Sequence, residues 1–409
     1  MMRSMFAGVS GLRNHQTMMD VVGNNIANVN TTGFKASQVT FAEAISQTLS
    51  GASGSTATRA GINPTQVGLG SNLGSIDRVF TQGASQVTGR TTDLAIQGNG
   101  FFIVEADGER SYTRSGVFNF DDAGNLTAAG GNMVQGWLTD LTGTIDTNRP
   151  VTNIVLPTGQ LVDPEATTNV TLGGNLSADA AIGDTLQSSI TIYDSLGTNH
   201  EAQFVFTKTA TNTWNMTANI GGTNPLTVSD PTITFDGTGT LTSTPTINLT
   251  GYTPPGADPL AFTLDLQSGA NLAQFGGQSN MEARSANGSA IGSLTGYTIG
   301  DDGTIEGQFS NGKTQTLARI ATAVFANNGG LLQTGNGNFR STNQSGPPLI
   351  GEPGTSNRGL LAAGTLEMSN VDLAREFTNL IIAQRGFQAN SRVITTSDEM
   401  LSDLVNLKR

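Results

Sequence analysis

Two histidines, His15 and His200, are the side chains of this 409-residue chain best suited to proton transfer near neutral pH. A hydrolytic histidine needs a serine or cysteine partner within a motif, and neither residue has one. His15 lies in a segment of helical pattern, and His200 follows the turn-like Asp194-Ser195-Leu196-Gly197. Both read as ordinary surface or interface residues. Cysteine is absent, which removes disulfides, thiolate metal sites and cysteine nucleophiles. Gly98-Asn99-Gly100 and Gly335-Asn336-Gly337 have the composition of phosphate loops, but neither opens a periodic helix. Both run into Phe-containing, strand-like stretches and read as turns. Asp121-Asp122-Ala123-Gly124-Asn125 lacks the spaced ligands and final glutamate of a calcium loop, so a hairpin turn fits better. No two carboxylates have a spacing that marks a glycosidase pair. No catalytic residue, cofactor site or metal ligand emerges, and an enzyme is the least supported class.

The periodic elements lie at the two ends. Met5, Leu12, Met19 and Ile26 recur at every seventh residue, with Val9, Gln16 and Gly23 four positions on. This is a helix face with an imperfect coiled-coil seam, and Asn28, Asn30 and Gly33 supply stop signals. Leu373, Leu380, Phe387, Ile394 and Leu401 repeat the pattern, with Phe377 and Val405 at the partner spacing. Ser369 and Asp372 suit a capping box at the entry of this second helix. Gln384, Ser391 and Asp398 interrupt its second row. Helices of this extent are on the order of 45–55 Å long. Apolar stripes usually bury against their own core. Here they flank a β-patterned middle and carry polar interruptions, which favours packing against several neighbouring copies. The twelve apolar residues named in the two rows, from Met5 to Val405, are therefore the candidate subunit interface.

Everything between reads as β. Trp214, Met216, Ala218 and Ile220 alternate with Asn215, Thr217 and Asn219, the period-two signature of a half-buried strand. Phe262-Thr263-Leu264-Asp265-Leu266 and Ile233-Thr234-Phe235 do the same, and Asp236-Gly237, Asp302-Gly303 and Asn311-Gly312 punctuate them. Fifty-two glycines with only 13% charged residues suit turn-rich β structure. The net charge of −12 argues against nucleic acid and against anionic membrane surfaces. Between residues 150 and 283 eleven acidic side chains face one basic one, Lys208, so nearly the whole net charge sits there. That stretch is a candidate separate domain with a strongly solvated surface. No apolar run is long enough for a membrane span or a signal-peptide core, so export without a cleaved leader is the expectation if the protein leaves the cell.

Asn25-Ile26-Ala27-Asn28-Val29-Asn30-Thr31-Thr32-Gly33-Phe34-Lys35 resembles the N-terminal signature of the bacterial flagellar rod and hook family. Thr92-Asp93-Leu94-Ala95-Ile96-Gln97-Gly98-Asn99-Gly100-Phe101-Phe102, with Tyr112-Thr113-Arg114-Ser115-Gly116 and Val134-Gln135-Gly136-Trp137, is similar to its core β signature. Leu366-Glu367-Met368-Ser369-Asn370-Val371-Asp372-Leu373 and Gln384-Arg385-Gly386-Phe387-Gln388-Ala389-Asn390 resemble its C-terminal block. Ser310-Asn311-Gly312-Lys313-Thr314-Gln315-Thr316-Leu317, Ala323-Val324-Phe325-Ala326-Asn327 and the ending Thr395-Thr396-Ser397-Asp398-Glu399-Met400-Leu401 with Asn406-Leu407-Lys408-Arg409 are similar to the hook members in particular.

The resemblance implies a mainly β protein with terminal α-helices that pair as an imperfect coiled coil, and two stacked β domains between them. The expected division is a tube-forming helical domain at 1–35 and 366–409 and an irregular linker at 36–75. An inner β domain follows at 76–145 and 285–365, with an outer acidic one at 146–284. The signature positions carried over are Asn28, Thr32, Gly33, Phe34, Lys35, Gly98, Gly100, Phe101, Asn370, Gln384 and Arg385. The implied role is a self-assembling subunit of a curved tubular joint, without cofactor or metal. Its implied partners are further copies of itself, a hook cap, distal rod and hook–filament junction proteins, and the flagellar export apparatus. A distal rod protein or a secreted β-rich surface-binding protein are the alternatives.

Overall fold

The computed structural model describes residues 2–55, 58–140, 143–156, 159, 161–267 and 271–406. The sequence-level match at Leu407-Lys408-Arg409 lies outside the described residues. The chain is mainly β, with a helix near each end and the two helices packed together. It divides into two compact units: residues 1–156, 298–306 and 316–409 form the first, and 157–297 with 307–315 the second.

In the first unit, α1 spans Met2–Ala27 and α2 spans Leu373–Asn406. At 1.5 Å per residue they are about 39 and 51 Å long. α1 stops at the asparagine-rich stretch: Asn28 N–H donates to the Asn24 carbonyl at 3.2 Å, and Thr31 N–H turns back to the Asn28 carbonyl. α2 begins at Asp372, whose Oδ1 accepts the Ala374 and Arg375 N–H groups at 2.9 and 3.3 Å. Ser369 Oγ instead accepts the Val371 N–H at 3.3 Å, so Asp372 alone is the side-chain cap.

The stretch 36–75, expected as irregular, carries β1 (Ser37–Glu43), β2 (Ser46–Ser50), β3 (Thr65–Gly68) and β4 (Ser71–Arg78). β1 pairs antiparallel with β4 and β2 with β3. Most of their side chains are exposed, so these ladders show little of the period-two burial that betrays a strand in sequence. The β1–β4 ladder rests beside α1: Asn14 Nδ2 donates to Ser71 Oγ at 2.8 Å, and Ser71 N–H donates to Ser10 Oγ at 3.3 Å.

The core of this unit is built on strand Phe101–Ala106, which pairs with Glu109–Thr113, Met133–Leu138 and Thr322–Val324. Phe101 meets Phe80, Phe325 and Phe339 with ring centroids 5.8 Å apart in each case. Tyr112, Trp137 and Ala323 belong to the same cluster, and Trp137 Nε1 is satisfied by the Arg149 carbonyl at 2.9 Å. Two short pairings draw the late chain in: Leu94–Gln97 with Leu360–Ala363, and Ser85–Val87 with Thr365–Glu367.

The second unit has its own core. Strands Thr185–Tyr193, Asn199–Ala210 and Thr213–Ile220 form an antiparallel meander. Trp214, Met216, Ala218 and Ile220 all point inward, as the alternation predicts, and meet Phe204, Phe206, Phe262 and Leu264. Asn169–Asn175 runs parallel to Leu260–Asp265 and antiparallel to Glu282–Ala286 in a second sheet. The eleven acidic residues between 163 and 282 all belong to this unit.

Candidate functional site

Three sequence blocks that lie far apart in the chain converge behind the helix pair. Lys35 leaves the end of the N-terminal block and is buried at 2% exposure, its Nζ 2.6 Å from Glu367 Oε1 and 2.7 Å from the Thr81 carbonyl. Glu367 Oε2 meets Arg114 Nη1 at 3.2 Å, and Arg114 Nη2 donates to the Gly98 carbonyl at 2.8 Å. The Arg114 guanidinium also lies 5.3 Å over the Phe101 ring. Gly83 N–H donates to Glu367 Oε1 at 2.9 Å. Burial pulls the Lys35 ammonium below the ordinary lysine value, opposed by its hydrogen bond and charge attraction to Glu367. Burial acts on Arg114 in the same direction, and Glu367 again opposes it. One carboxylate thus holds two buried cations, with backbone groups of Thr81, Gly83 and Gly98 as further partners and Arg114 Nε buried without one.

Neighbouring residues tie the same segments by their backbones. Gly33 N–H donates to the Glu367 carbonyl at 2.7 Å, and its φ of +68° suits glycine. A Cβ there would sit 2.6 Å from Ser115 N, so the close approach needs glycine twice over. Thr32 Oγ1 lies 3.2 Å from Ser115 Oγ. Asn370 accepts the Ala36 N–H at 2.8 Å through Oδ1, and its Nδ2 donates to the Val79 carbonyl at 2.7 Å and to Thr81 Oγ1 at 3.0 Å. Asn25 makes a reciprocal pair with the Ser37 backbone at 2.8 and 3.0 Å.

Of the signature residues, Thr32, Gly33, Phe34, Lys35, Gly98, Phe101 and Asn370 meet at this junction; Asn370 N–H donates to the Phe34 carbonyl. Gly100 precedes Phe101 with φ +131°. Asn28 caps its own helix, donating to the Asn24 carbonyl at 2.9 Å. Gln384 and Arg385 are exposed on α2, away from the junction. Arg114, Glu367 and Asn25 carry much of the geometry without having been singled out. The opposite charges of Arg114 and Glu367 inside two matched blocks were the available signal for those two; Asn25 offered none.

The helix pair is antiparallel, because its contacts run in opposite chain directions. Ser4 Oγ lies 3.4 Å from Ser397 Oγ. A Cβ on Gly8 would stand 3.2 Å from Ile394 Cγ1, one on Gly11 2.6 Å from Asn390 Nδ2, and one on Gly386 2.4 Å from His15 Nε2. The close contacts between the helices therefore run through glycines and polar residues, with Ile394 as the apolar exception. Of the apolar rows, Val9, Leu373, Phe377, Phe387 and Val405 are exposed, and Met5, Leu12, Met19, Ile26, Leu380, Ile394 and Leu401 are half-buried. Phe6, Ile381 and Ile382, outside those rows, are exposed as well. A single chain leaves much apolar helix surface without cover.

The glycine motifs are structural. Gly98 N–H donates to Gln82 Oε1 at 3.1 Å, and Asn336 and Gly337 turn a hairpin between Leu332–Gly335 and Asn338–Arg340. Asp121 accepts the Asn125 N–H at 2.7 Å in the turn joining Phe118–Phe120 to Leu126–Ala128. His200 Nε2 lies 3.0 Å from Asp194 Oδ2 in the second unit. Burial raises the Asp194 carboxyl, but hydrogen bonds from His200, Thr198 and Leu196 outweigh it and hold the group below the usual carboxylate range. No helix among the described residues is long and apolar enough to cross a membrane.

Four family models match the chain. Residues 5–35 match the flagella basal body rod protein, 95–198 the flagellar hook protein FlgE/F/G D1 domain, 165–289 the flagellar basal body protein FlaE D2 domain, and 362–407 the flagellar basal body rod FlgEFG protein C-terminal. The flagellar hook protein FlgE of Borreliella burgdorferi is 41% identical over 100% of both chains, and that of Escherichia coli 37% over 98% of both. The flagellar basal-body rod protein FlgG of Bacillus subtilis is 32% identical over 100% of both. The crystal structure of Helicobacter pylori flagellar hook protein FlgE2 has a TM-score of 0.52 at 15% identity, covering 70% of this chain and 99% of that one. This last match speaks to the fold alone.

Proposed function

The chain belongs to the flagellar hook protein family, and from that premise we propose that the outward apolar faces of α1 and α2 join neighbouring copies into the wall of a curved tube. The protein is a structural, non-enzymatic subunit of the bacterial flagellar hook, the extracellular joint between rod and filament. The observation that carries the assembly reading is the helix pair itself. Its inner seam sets Gly8, Gly11 and Gly386 against Ile394, Asn390 and His15, with Ser4 beside Ser397, while Phe6, Phe377, Ile381, Ile382 and Phe387 remain exposed. Small residues inside bring the helices close, and large apolar ones outside await a neighbour, so association buries what folding alone leaves wet. Ordering of the helices is then offset by contacts that form only in the polymer. Head-to-tail contacts of this kind extend into a helical array without closing.

The buried junction of Lys35, Glu367 and Arg114 gives the helical ends a stiff anchorage. It fixes the exits of both helices onto the Phe101 core, so force on the helical wall passes into a stiff β scaffold. The acidic unit, with its own core and polar surface, supplies compliance, because hydrated polar faces slide past each other with little penalty. Within the flagellum the ends of such a tube would meet a hook cap, the distal rod and the hook–filament junction proteins, after passage through the export apparatus. Electron microscopy of polymer grown from the purified chain tests the reading: curved tubes are expected. Straight tubes would move the chain to the distal rod, and a stable, unassociated monomer would sink the assembly role.

A further inference from the structure

Beside the first turn of α2 lies a cavity of about 280 Å³, lined by Met18 and Val22 of α1, Val39 of β1, and Asn370, Arg375 and Glu376. Glu376 is 8% exposed, and its Oε2 is buried without a hydrogen-bond partner. A carboxylate in the first helical turn is favoured by the helix dipole, which accounts for its position. It does not account for burial of an unbonded charged oxygen, which costs free energy wherever no cation answers it. No ion pair forms with Glu376 among the described residues. Its chain neighbour Arg375 lines the same cavity without pairing to it, since adjacent helical positions point apart.

Cations that could answer it stand on the same two helices. Arg3 and Arg13 on α1 and Arg385 and Arg392 on α2 are exposed, and none makes an ion pair among the described residues. We propose that the Glu376 cavity is a socket for one of these arginines from a second copy of this chain. The lining combines apolar side chains at Met18, Val22 and Val39 with carboxylates at Asp372 and Glu376, which suits a guanidinium with its aliphatic stem. The contact adds direction to an otherwise greasy surface: apolar faces hold copies together, and this charge pair sets their register. The inference rests on the assembly role proposed above.

The test is the critical concentration for polymerisation, with the melting temperature of the monomer measured in parallel. Glu376→Gln is expected to raise the critical concentration at least about tenfold, because it removes one side of a desolvated charge pair. Monomer melting should hold steady or rise, since an unanswered buried charge has been removed. Glu376→Arg should block tubes, and reversal to Glu at one of Arg3, Arg13, Arg385 or Arg392 should restore them. Wild-type critical concentration for Glu376→Gln would overturn the proposal, as would failure of all four reversals. A fall in monomer melting would also overturn it, by showing that the carboxylate is answered inside its own chain. Cation-dependent monomer melting that Glu376→Gln abolishes, with polymerisation unchanged, would assign the cavity to a small ion instead. Failure of the wild-type chain to form tubes is a separate outcome and falls on the assembly reading.

Discussion

Lys35 Nζ lies 2.6 Å from Glu367 Oε1, across 332 residues of chain, and neither side chain reaches solvent. Arg114 holds the other oxygen of the same carboxylate. Glu367→Gln leaves two buried cations without an anion and should destabilise the first unit by about 3–5 kcal/mol. Lys35→Met keeps Arg114 and Glu367 paired and should cost clearly less. Chemical denaturation of the monomer checks the ranking, and equal losses would show that pairing is not what the junction depends on.

Gly33 has φ +68° and no room for a Cβ beside Ser115 N. Gly33→Ala should therefore lower stability by about 2 kcal/mol or more, through backbone strain and displacement of the Arg114–Ser115 backbone. Gly23 is the contrast, a helical glycine whose added Cβ would meet nothing within 4 Å. Gly23→Ala should stabilise the monomer by about 0.5–1 kcal/mol. Thermal melts of the two variants should move in opposite directions.

In the second unit, the Asp194–His200 pair links acid to stability. The Asp194 carboxyl is depressed in the folded chain, so its contribution is present above the ordinary carboxylate value and is lost as pH falls through the folded one. Asp194→Asn should melt lower than wild type at pH 7, and the gap should close in strong acid. A gap that stays constant down to pH 2 would remove the carboxylate's charge from the account.

Phe377 on α2 is 50% exposed in the single chain. Phe377→Asp should leave the monomer's melting temperature nearly unchanged while raising the critical concentration for tubes by an order of magnitude or more, in line with loss of a buried aromatic anchor. Sedimentation of polymer against concentration reads both limits, and unaltered polymerisation would place this face outside the contact.

Removal of residues 157–297, the main part of the second unit, should leave tubes able to form from the helical ends, with altered curvature. Electron micrographs of the truncated chain give the answer, and complete loss of tubes would show that compliance and assembly are not separable.

How much of this was readable from residues alone differs by element. Trp214, Met216, Ala218 and Ile220 announced their strand because burial on one face imposes period two. The terminal helices were legible from their heptads, yet their mutual seam was not. Apolar periodicity reports which surface avoids water, not which neighbour covers it, and the helices meet through Gly8, Gly11 and Gly386. The ladders at 36–75 were invisible for a related reason: exposed Ser, Thr and Gln carry no burial signal. Arg114 and Glu367 sat within matched blocks, but a buried ion triad depends on a fold that brings three distant segments together.

The short pairings that tie Ser85–Val87 to Thr365–Glu367 and Leu94–Gln97 to Leu360–Ala363 also set an order in time. Strands of the second unit such as Thr185–Tyr193 and Asn199–Ala210 are neighbours in sequence and close small loops. The first unit closes loops that span most of the chain, which is slower and needs the late residues present. A chain emerging N-terminus first therefore completes its acidic middle before its ends can meet. The helical ends stay open until the final segment arrives, so the sticky surface is among the last things the molecule finishes.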